Sequence, residues 1–540
     1  MSSLKSFLNK LLHLILNEFL VERVKHYLSY RLVFSKWLKI FPKTIKDNLT
    51  STGNIIVSLN ETNHPIFIPL LILAKALELR GFNIIVFVCD GFLKGCEIKS
   101  SKNVGDKNPC WQCKFNIKSI ISRFNFKIVS YATIFSKEEI NQINQKIKIK
   151  DYAELDLDNF LEGPMQLSVN DSVIRYFYGA VDDKESNEIK NNNIDTAIFS
   201  YLSAKRLDKI YSPVSVVSAM SAYSQWSPFY HYFNKSNRFK KLSLIPFNLA
   251  TFQINDFELY SNTNRFIKYR ELKNNKISFE ESEELSEYLT TRFSGKSEIF
   301  VRDGFFKESI DKLDLTIDPD KKNIFLFSNI YWDVGVSESN YLYDDVIQWV
   351  LETIDMLSDK QDINLFIKPH PGEVYDSSSS LKTMSDFIYE RFPVLPKNVQ
   401  IISPEQQIKT YDLFDYIDLG LIYNGTIGLE MMLKGIPVIS TGKTTYQDLN
   451  FAMQPKTADE YLNLILEDTY NIPSKEDLEF YAYFYFLKTP VPFGIFSTYN
   501  ASFTEIPKLD SLDELNPGKS NIIDHFCKCL TEKDSLPEAW

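Results

Sequence analysis

The feature that most constrains the fold is an alternation of short apolar runs with longer helical segments, which occurs in both halves of the chain. In the first half the apolar runs lie at 54–59, 83–89 and 127–131, and the helical segments at 66–79 and 115–123. In the second half the apolar runs lie at 324–328, 363–367, 399–402, 419–423 and 436–440, and the helical segments at 344–357, 408–414 and 429–433. Strands that alternate with helices form parallel, doubly wound sheets. The pattern therefore predicts an α/β fold with two Rossmann-like domains facing a cleft.

The length of 540 residues also requires more than one domain, because single cores stop growing well below this size. A further strand, helix and strand are predicted in the first half at 209–214, 228–233 and 241–246. The predicted organisation has five parts: a basic amphipathic helical segment at 1–50, a first Rossmann-like domain at 51–255, a helical connector at 256–320, a second Rossmann-like domain at 321–455, and helices at 456–540 that pack back across the domains.

The N-terminal segment is basic in an otherwise acidic chain. Residues 1–43 carry eight Lys or Arg and two Glu, whereas the whole chain has a net charge of −10. Apolar side chains recur at helical spacing from Leu4 to Phe19, which predicts an amphipathic helix. Such a helix either lies in an anionic lipid surface or packs on the protein's own body or a partner chain. Both interpretations remain open at this point.

Two further expectations concern location and partners. No run reaches the roughly 18 apolar residues of a spanning helix, and no signal-peptide cleavage site follows the apolar stretch at 11–21. We therefore expect a cytoplasmic protein, at the inner face of the cell membrane if residues 1–43 bind lipid. The acidic remainder argues against a nucleic-acid partner, since nucleic-acid binding needs a basic face.

Three polar segments follow predicted strands of the second half, at 328–329, 368–373 and 424–430. Ligands of open parallel sheets bind beyond the carboxyl ends of the strands, where helix N-termini present free N–H groups. Lys368 and His370 can donate charge-assisted hydrogen bonds to a phosphate. Thr426 can cap the helix that follows it, and Glu430 can accept from ribose hydroxyls. These segments predict a site for a phosphate-bearing ligand.

Two stretches carry a resemblance to a known family. The runs KPHPGE at 368–373 and YDLFDYIDLGLIYNGTIGLEMMLKGIPVISTGKTTY at 411–446 resemble capsule polysaccharide biosynthesis proteins, which are glycosyltransferases of the GT-B architecture. NIYWD at 329–333 and FYAYFYFLKTPVPF at 480–493 also resemble that group. The resemblance extends over 320–490 and is weaker before it. More distantly, the His-Pro pair is similar to bacterial sialyltransferases and Kdo transferases, whose donors are CMP-sugars.

The resemblance implies a donor site in the second domain and an acceptor site in the first. His370 would contact the donor phosphate, Glu373 would hold that loop, and Glu430 would hold the ribose. The full set of implied donor-binding residues is Ser328, Asn329, Lys368, His370, Glu373, Asn424, Gly425, Thr426, Gly428, Glu430, Lys443 and Tyr446. Relatives tend to have a Ser-Thr pair where this chain has Asn424-Gly425-Thr426. Ile422 stands where many retaining enzymes have a second glutamate, which favours an inverting mechanism.

An inverting mechanism needs a general base near the acceptor hydroxyl, and the first domain would supply it. His64 and Asp90 are the candidates because each follows a predicted strand, and Glu162 is a weaker one. The alternative for His64 is that it only caps its helix. Arg175 and Trp226 are predicted to line the acceptor side.

Four cysteines lie close together in sequence: Cys89, Cys96, Cys110 and Cys113. Four thiolates can form a tetrahedral zinc site, so a structural zinc is one interpretation and reduced, unliganded thiols are the other. No Asp-x-Asp pattern follows a predicted strand, since the pair at 156–158 lies in a loop-like segment. We therefore expect that catalysis requires no cofactor.

These features together predict transfer of a sugar from a nucleotide-sugar donor, with CMP-sugars favoured. The expected acceptor is a capsular polysaccharide or a related glycan, free or lipid-linked. Three alternatives remain: a sugar-nucleotide epimerase, a polyol-phosphate transferase, and a non-catalytic scaffold of a membrane glycan-assembly complex.

Overall fold

The computed structural model describes most of the chain. The described residues are 18–30, 35, 38–41, 52–60, 62, 67–102, 109–181, 183–244, 251–255, 263–294, 315, 317–333, 340–374, 379–406, 408–467, 470, 472–489, 491–492 and 508–532.

The described strands form two sheets. They are β1 Gly53–Leu59, β2 Phe82–Val88, β3 Lys127–Ser130, β4 Ser215–Ser218, β5 Phe239–Leu244, β6 Thr251–Asn255, β7 Lys322–Phe327, β8 Ile363–Lys368, β9 Val399–Ile401, β10 Leu419–Ile422, β11 Val438–Ser440 and β12 Val491–Pro492. The first sheet has the order β12-β6-β5-β4-β1-β2-β3, and the second has the order β11-β10-β7-β8-β9.

Both sheets have the Rossmann-like strand order. In the first sheet, β1 lies between β2 and β4 and is parallel to both. In the second sheet, β7 lies in the same way between β8 and β10. At the edge of the first sheet, β6 runs antiparallel to β5, and β12 runs antiparallel to β6. The prediction of an α/β fold with two Rossmann-like domains is therefore confirmed.

The helices alternate with the strands along the chain. They are α1 Glu18–Ser29, α2 Phe67–Glu78, α3 Cys110–Ser119, α4 Tyr131–Ile134, α5 Lys137–Lys148, α6 Pro164–Tyr176, α7 Asp183–Tyr211, α8 Tyr223–Asn234, α9 Thr263–Leu272, α10 Phe279–Phe293, α11 Val346–Leu357, α12 Met384–Arg391, α13 Thr426–Leu433, α14 Ala458–Leu466, α15 Lys475–Tyr483 and α16 Asn521–Thr531. Residues Phe484–Lys488 continue α15 as a π-helix.

The strands of the second sheet are buried on both faces, as expected of parallel strands covered by helices. Ile324 and Leu326 of β7 pack with Trp349 of α11 on one face. Phe325 and Phe327 belong to the apolar cluster on the opposite face. Because both faces are covered, the ends of the strands are where the second domain can present polar side chains to a ligand.

One predicted strand is wrong. Residues 209–211 form the last turn of α7, and the strand begins only at Ser215. Ala197, Tyr201, Ala204 and Leu207 are buried at helical spacing, so packing of this long helix continues it past the point at which a strand was predicted. The predicted helix at 408–414 is instead a 3-10 helix, Thr410–Tyr416.

The described part of the N-terminal segment packs on the first domain. His26 of α1 is hydrogen-bonded to Asn116 of α3 at 3.0 Å, and the Tyr30 hydroxyl donates to the Ser119 carbonyl at 3.0 Å. Leu38 and Phe41 belong to the core of the first sheet. These contacts favour packing on the protein's own body for the described residues from 18 to 41. Residues 1–17, where the predicted lipid-binding helix begins, lie outside the described residues.

Helices long and apolar enough to cross a membrane are absent from the described residues.

The chain returns to the first domain at its C-terminal end. Helix α14 packs on the second sheet through Tyr461 and Ile465, whereas β12 pairs with β6 of the first sheet. Phe526 and Leu530 of α16 then pack into the core of the first sheet together with α2. The second domain is thus connected to the first at both of its ends.

Helix α16 therefore contributes to the stability of the first domain. Replacing Phe526, which is 1% exposed, by Ala should lower the free energy of unfolding by about 3–5 kcal/mol, because it leaves a cavity in a packed core. Urea denaturation measures this loss. The matched control is Phe279→Ala at a phenylalanine that is 73% exposed, which should change stability by less than about 0.5 kcal/mol. Equal losses in the two variants would contradict the packing of α16 on the first sheet.

Candidate functional site

A cleft lies at the carboxyl edge of the second sheet. Its volume is about 240 Å³. The ends of β7, β8 and β10 and the start of α13 surround it, and α10 of the connector covers one side. The lining residues are Arg292, Phe327, Ser328, Asn329, Lys368, Pro369, His370, Pro371, Thr410, Tyr411, Asn424, Gly425, Thr426, Ile427 and Glu430.

Lys368 places a positive charge in the cleft. It is the last residue of β8, and its side chain is only 4% exposed. No acceptor or carboxylate among the described residues pairs with its ammonium group, and burial lowers the pKa of Lys368 to about 8. Burying an unpaired ammonium group is unfavourable, so its presence here indicates that an anion completes the site.

His370 faces the cleft two residues after Lys368. Its Nδ1 accepts a hydrogen bond from the Gly372 N–H at 3.0 Å, so a neutral ring carries its proton on Nε2. Although the ring is partly exposed to the cleft, the protein around it and then the charge of Lys368 lower its pKa to about 4. At pH 7 the ring is therefore an uncharged hydrogen-bond donor.

Glu373 lies behind this loop and does not line the cleft. Its Oε2 accepts from the Met384 N–H at the start of α12, at 2.9 Å, and its backbone N–H donates to the His370 carbonyl at 3.0 Å. Burial raises the pKa of Glu373 to about 7, while the Met384 N–H opposes that shift. The carboxyl group thus holds the His-Pro loop against α12 and does not reach the cleft.

The turn between β10 and α13 presents backbone N–H groups to the cleft. Gly425 is the N-cap of α13 with φ 109 and ψ 170, a conformation that is essentially restricted to glycine. Thr426 is the first residue of the helix, so the prediction that it caps the helix is wrong. No side chain in the described part of the chain caps α13, which leaves the N–H groups of its first turn available to an anion.

Three further polar side chains lie beside this turn. The Asn329 amide nitrogen donates to the Asn424 Oδ1 at 2.5 Å. Among the described residues, the Asn329 Oδ1 and the Ser328 Oγ are buried and have no hydrogen-bond partner. A ligand hydroxyl can pair with either atom, whereas a phosphate oxygen can pair only with the Ser328 hydroxyl, and each unpaired buried atom otherwise costs about 1–3 kcal/mol.

Arg292 is a cleft residue that was not predicted. It comes from α10 of the connector, and its guanidinium group donates to the Glu430 Oε1 at 2.7 and 3.0 Å. The two side chains are 3% and 2% exposed. Arg292 also donates to the Thr426 hydroxyl at 3.3 Å. Burial lowers and the Glu430 carboxylate raises the pKa of Arg292, with a net upward shift.

This ion pair changes the role expected of Glu430. Its carboxylate is already engaged by Arg292, so it balances the charge of the arginine that contacts the Thr426 hydroxyl, as well as lining the cleft. Nothing in the charged sequence of α10 distinguishes Arg292 from a surface arginine; only the packing of α10 on α13 and α15 brings it to the site.

Besides Glu373, three predicted donor-binding residues do not line the cleft. Gly428 lies on the inward face of α13, where an added Cβ would overlap Ile422 and the Tyr446 hydroxyl. Tyr446 is 1% exposed in the core, and its hydroxyl donates to the Gly425 carbonyl at 3.4 Å. Lys443 is half-buried after β11. These residues follow the turn closely in sequence, but Gly428 and Tyr446 pack inward and not toward the cleft.

The candidate residues of the first domain divide into four groups. Arg175 lies at the boundary between the domains, where its guanidinium carbon is 5.0 Å from the Trp332 ring centroid, whereas Trp226 of α8 is fully buried among first-domain residues. Asp90 is exposed on the turn after β2, with φ 49. His64 and the side chain of Glu162 lie outside the described residues.

The four cysteines do not form a metal site in the described part of the chain. No three His, Cys, Asp or Glu side chains there lie close enough to hold an ion. Cys89 instead accepts a hydrogen bond from the Leu93 N–H at 3.3 Å, and burial raises the pKa of its thiol.

By sequence, the chain matches no protein-family model and no curated protein.

By structure, the chain is similar to several solved glycosyltransferases and related enzymes. One is a β-Kdo 2,4-transferase, KpsC from Thermosulfurimonas dismutans, with a TM-score of 0.33 and 14% identity over 50% of this chain and 79% of that one. A β-Kdo 2,7-transferase KpsC of the same organism gives 0.32 and 13% over 58% and 89%. Anabaena HepE, in complex with UDP and glucose, gives 0.25 and 9% over 84% and 97%. The function proposed below rests on the cleft itself.

The unpaired Lys368 should destabilise the empty protein. At pH 7, Lys368→Met should raise the free energy of unfolding by about 3 kcal/mol, the cost of lowering a lysine pKa from 10.5 to about 8. The unfolded chain binds more protons between these two values, so the wild type gains stability as pH rises through this window and the advantage of the variant shrinks. Urea denaturation at pH 7 and pH 10 measures both effects. A Lys368→Met variant that is less stable than the wild type at pH 7 would contradict the claim that the Lys368 ammonium group has no partner among the described residues.

Arg292 and Glu430 should behave as a coupled pair. Arg292→Met alone should cost about 3–5 kcal/mol of stability because it leaves the Glu430 carboxylate buried without a partner. The double variant with Glu430→Met should recover most of this loss. Arg391→Met, which breaks an exposed pair with Asp355, is the control and should cost less than about 1 kcal/mol. Losses that simply add in the double variant would show that the two groups do not interact.

Proposed function

We propose that this chain is a glycosyltransferase that moves a sugar from a nucleotide-sugar donor bound in the cleft of the second domain. The observation that carries the proposal is the buried ammonium group of Lys368 beside the uncapped N-terminus of α13. Both features stabilise negative charge at one place, which is where the phosphate leaving group of a nucleotide sugar develops its charge. The His370 Nε2–H is a third donor at the same edge.

The charge of the cleft supports a donor with a single phosphate. His370 is neutral at pH 7, and Arg292 is neutralised by Glu430, so Lys368 supplies the one uncompensated positive charge among the described lining residues. The phosphate that links a sugar to a nucleoside monophosphate carries one negative charge, whereas the diphosphate of a UDP-sugar or GDP-sugar carries two. The balance favours a CMP-sugar over a UDP-sugar or GDP-sugar.

The same groups can replace a metal ion in the reaction. Lys368 and the first turn of α13 are fixed by the sheet, so they need no reorganisation when the bond to the phosphate breaks. Ser328 and Asn329 offer unpaired oxygen atoms to the hydroxyls of the nucleotide. The proposed acceptor is a capsular or related glycan, bound on the first-domain side, and the proposed location is the cytoplasm or the inner face of the cell membrane.

Nucleotide binding tests the donor site. CMP at a hundredfold excess over its dissociation constant should stabilise the protein by about 2.7 kcal/mol, and UDP and GDP should bind more weakly. A thermal-shift titration measures this. Lys368→Met and His370→Ala should lose the stabilisation, whereas the control Lys443→Met, at a lysine of the same sheet edge outside the cleft, should keep it.

Two results would count against this proposal. Stabilisation by UDP or GDP equal to that by CMP would contradict the single-phosphate donor. The absence of stabilisation by any nucleotide would contradict the transferase function.

A further inference from the structure

A second group of polar side chains lies at the carboxyl edge of the first sheet. Asn60 directly follows β1, and its amide nitrogen donates to the Gln225 carbonyl at 2.7 Å. Glu97 lies in the loop after β2, and its backbone N–H donates to the Gln225 Oε1 at 2.6 Å. Gln225 lies in the first turn of α8, which follows β4. These hydrogen bonds join the loops of three neighbouring strands where the strand order reverses, the place at which open α/β sheets bind ligands.

Arg175 brings a positive charge to this group. It lies near the end of α6, and its guanidinium carbon is 4.7 Å from the Tyr178 ring centroid and 5.0 Å from that of Trp332. Trp332 belongs to the second domain, in the segment after β7 that begins with the cleft residues 328–329. The group around Glu97 therefore lies in the first domain, next to the boundary between the domains. On the other side of that boundary, the segment after β7 leads to the cleft of the second domain.

Two N–H donors of this group, the Arg175 Nη1 and the Gln225 Nε2, are shielded from water without a hydrogen-bond partner among the described residues. The Glu97 carboxylate lies in the same group, close to the charge of Arg175 and to the Trp226 indole. Native structures leave few buried polar atoms unpaired, so two in one place need an explanation. A carboxylate in one group with unpaired N–H donors matches a sugar hydroxyl, which both donates and accepts hydrogen bonds.

We propose that this group binds the acceptor and that Glu97 takes the proton from the attacking hydroxyl. This inference rests on the proposed transferase function and assigns the acceptor side of that reaction. The acceptor oxygen forms a bond to the anomeric carbon of the donor sugar, and its proton passes to the Glu97 carboxylate. The bond from that carbon to the phosphate oxygen breaks, and its electron pair leaves on the phosphate that faces Lys368.

The surroundings of Glu97 suit a proton acceptor. Burial raises the pKa of Glu97, the charge of Arg175 and the Trp226 indole oppose that shift, and Asp333 adds to it. A carboxylate with a raised pKa accepts protons more readily near neutral pH than one in bulk water. Asp90, the acid predicted from sequence, is exposed on its turn and lacks such surroundings.

Release of CMP from CMP-linked Kdo and from CMP-linked sialic acid tests the assignment, with water or methyl β-galactoside as the acceptor. Glu97→Gln should lower the rate constant of release by about 10²–10⁴-fold, the usual contribution of a positioned base. The dissociation constant of CMP and the melting temperature should stay at the wild-type values, because the donor cleft and the fold remain intact. A purely structural role for Glu97 would change the melting temperature.

Asp208→Asn is the matched control. Asp208 is a partly buried carboxylate of the first domain that pairs with Arg238, and its variant should release CMP at the wild-type rate. Retention of the wild-type rate by Glu97→Gln, or loss of CMP binding in that variant, would overturn the assignment. A wild type that releases no CMP from either donor would contradict the proposed function, and the inference would fall with it.

Discussion

The proposed site depends on a lysine ammonium group that is buried at the end of a central strand, without a carboxylate among the described residues to balance it. In the described residues the charge of Lys368 is opposed by no ion pair, and its pKa is lowered by burial. Such a group lowers the free energy of unfolding of the empty protein. We therefore expect a bound anion to stabilise the protein by more than this loss. The N-terminus of α13 and the His370 Nε2–H lie at the same edge, and all three favour negative charge. The chemistry proposed for this chain follows from that convergence.

The second interaction that shapes the site is the buried pair of Arg292 and Glu430. It joins the connector helix α10 to α13, so the region between the two domains contributes directly to the donor cleft. Because the charges of Arg292 and Glu430 neutralise each other, the positive charge of Lys368 is the uncompensated one among the described residues that line the cleft. A cleft of this kind selects its ligand by charge as well as by shape.

Much of the fold could be predicted from the sequence because local rules determine it. Parallel strands buried on both faces appear as continuous apolar runs, and the helices between them follow from their spacing. Lys368, His370 and the turn at 424–426 could be located because they directly follow such strands. The strand predicted at 209–214 was wrong since the packing of α7 prolongs that helix. Arg292 and Glu97 could not be selected, because each reaches its site through contacts between segments far apart in sequence. Gly428 and Tyr446 were assigned to the ligand although they pack inward, a distinction that needs side-chain directions.

The most direct test of the central claim is a crystal structure of the protein with CMP. The account predicts phosphate oxygens within about 3 Å of the Lys368 Nζ and of the N–H groups in the first turn of α13, the spacing of charge-assisted hydrogen bonds. A phosphate bound elsewhere, or a Lys368 ammonium group paired with a carboxylate of the protein while CMP is bound, would contradict it.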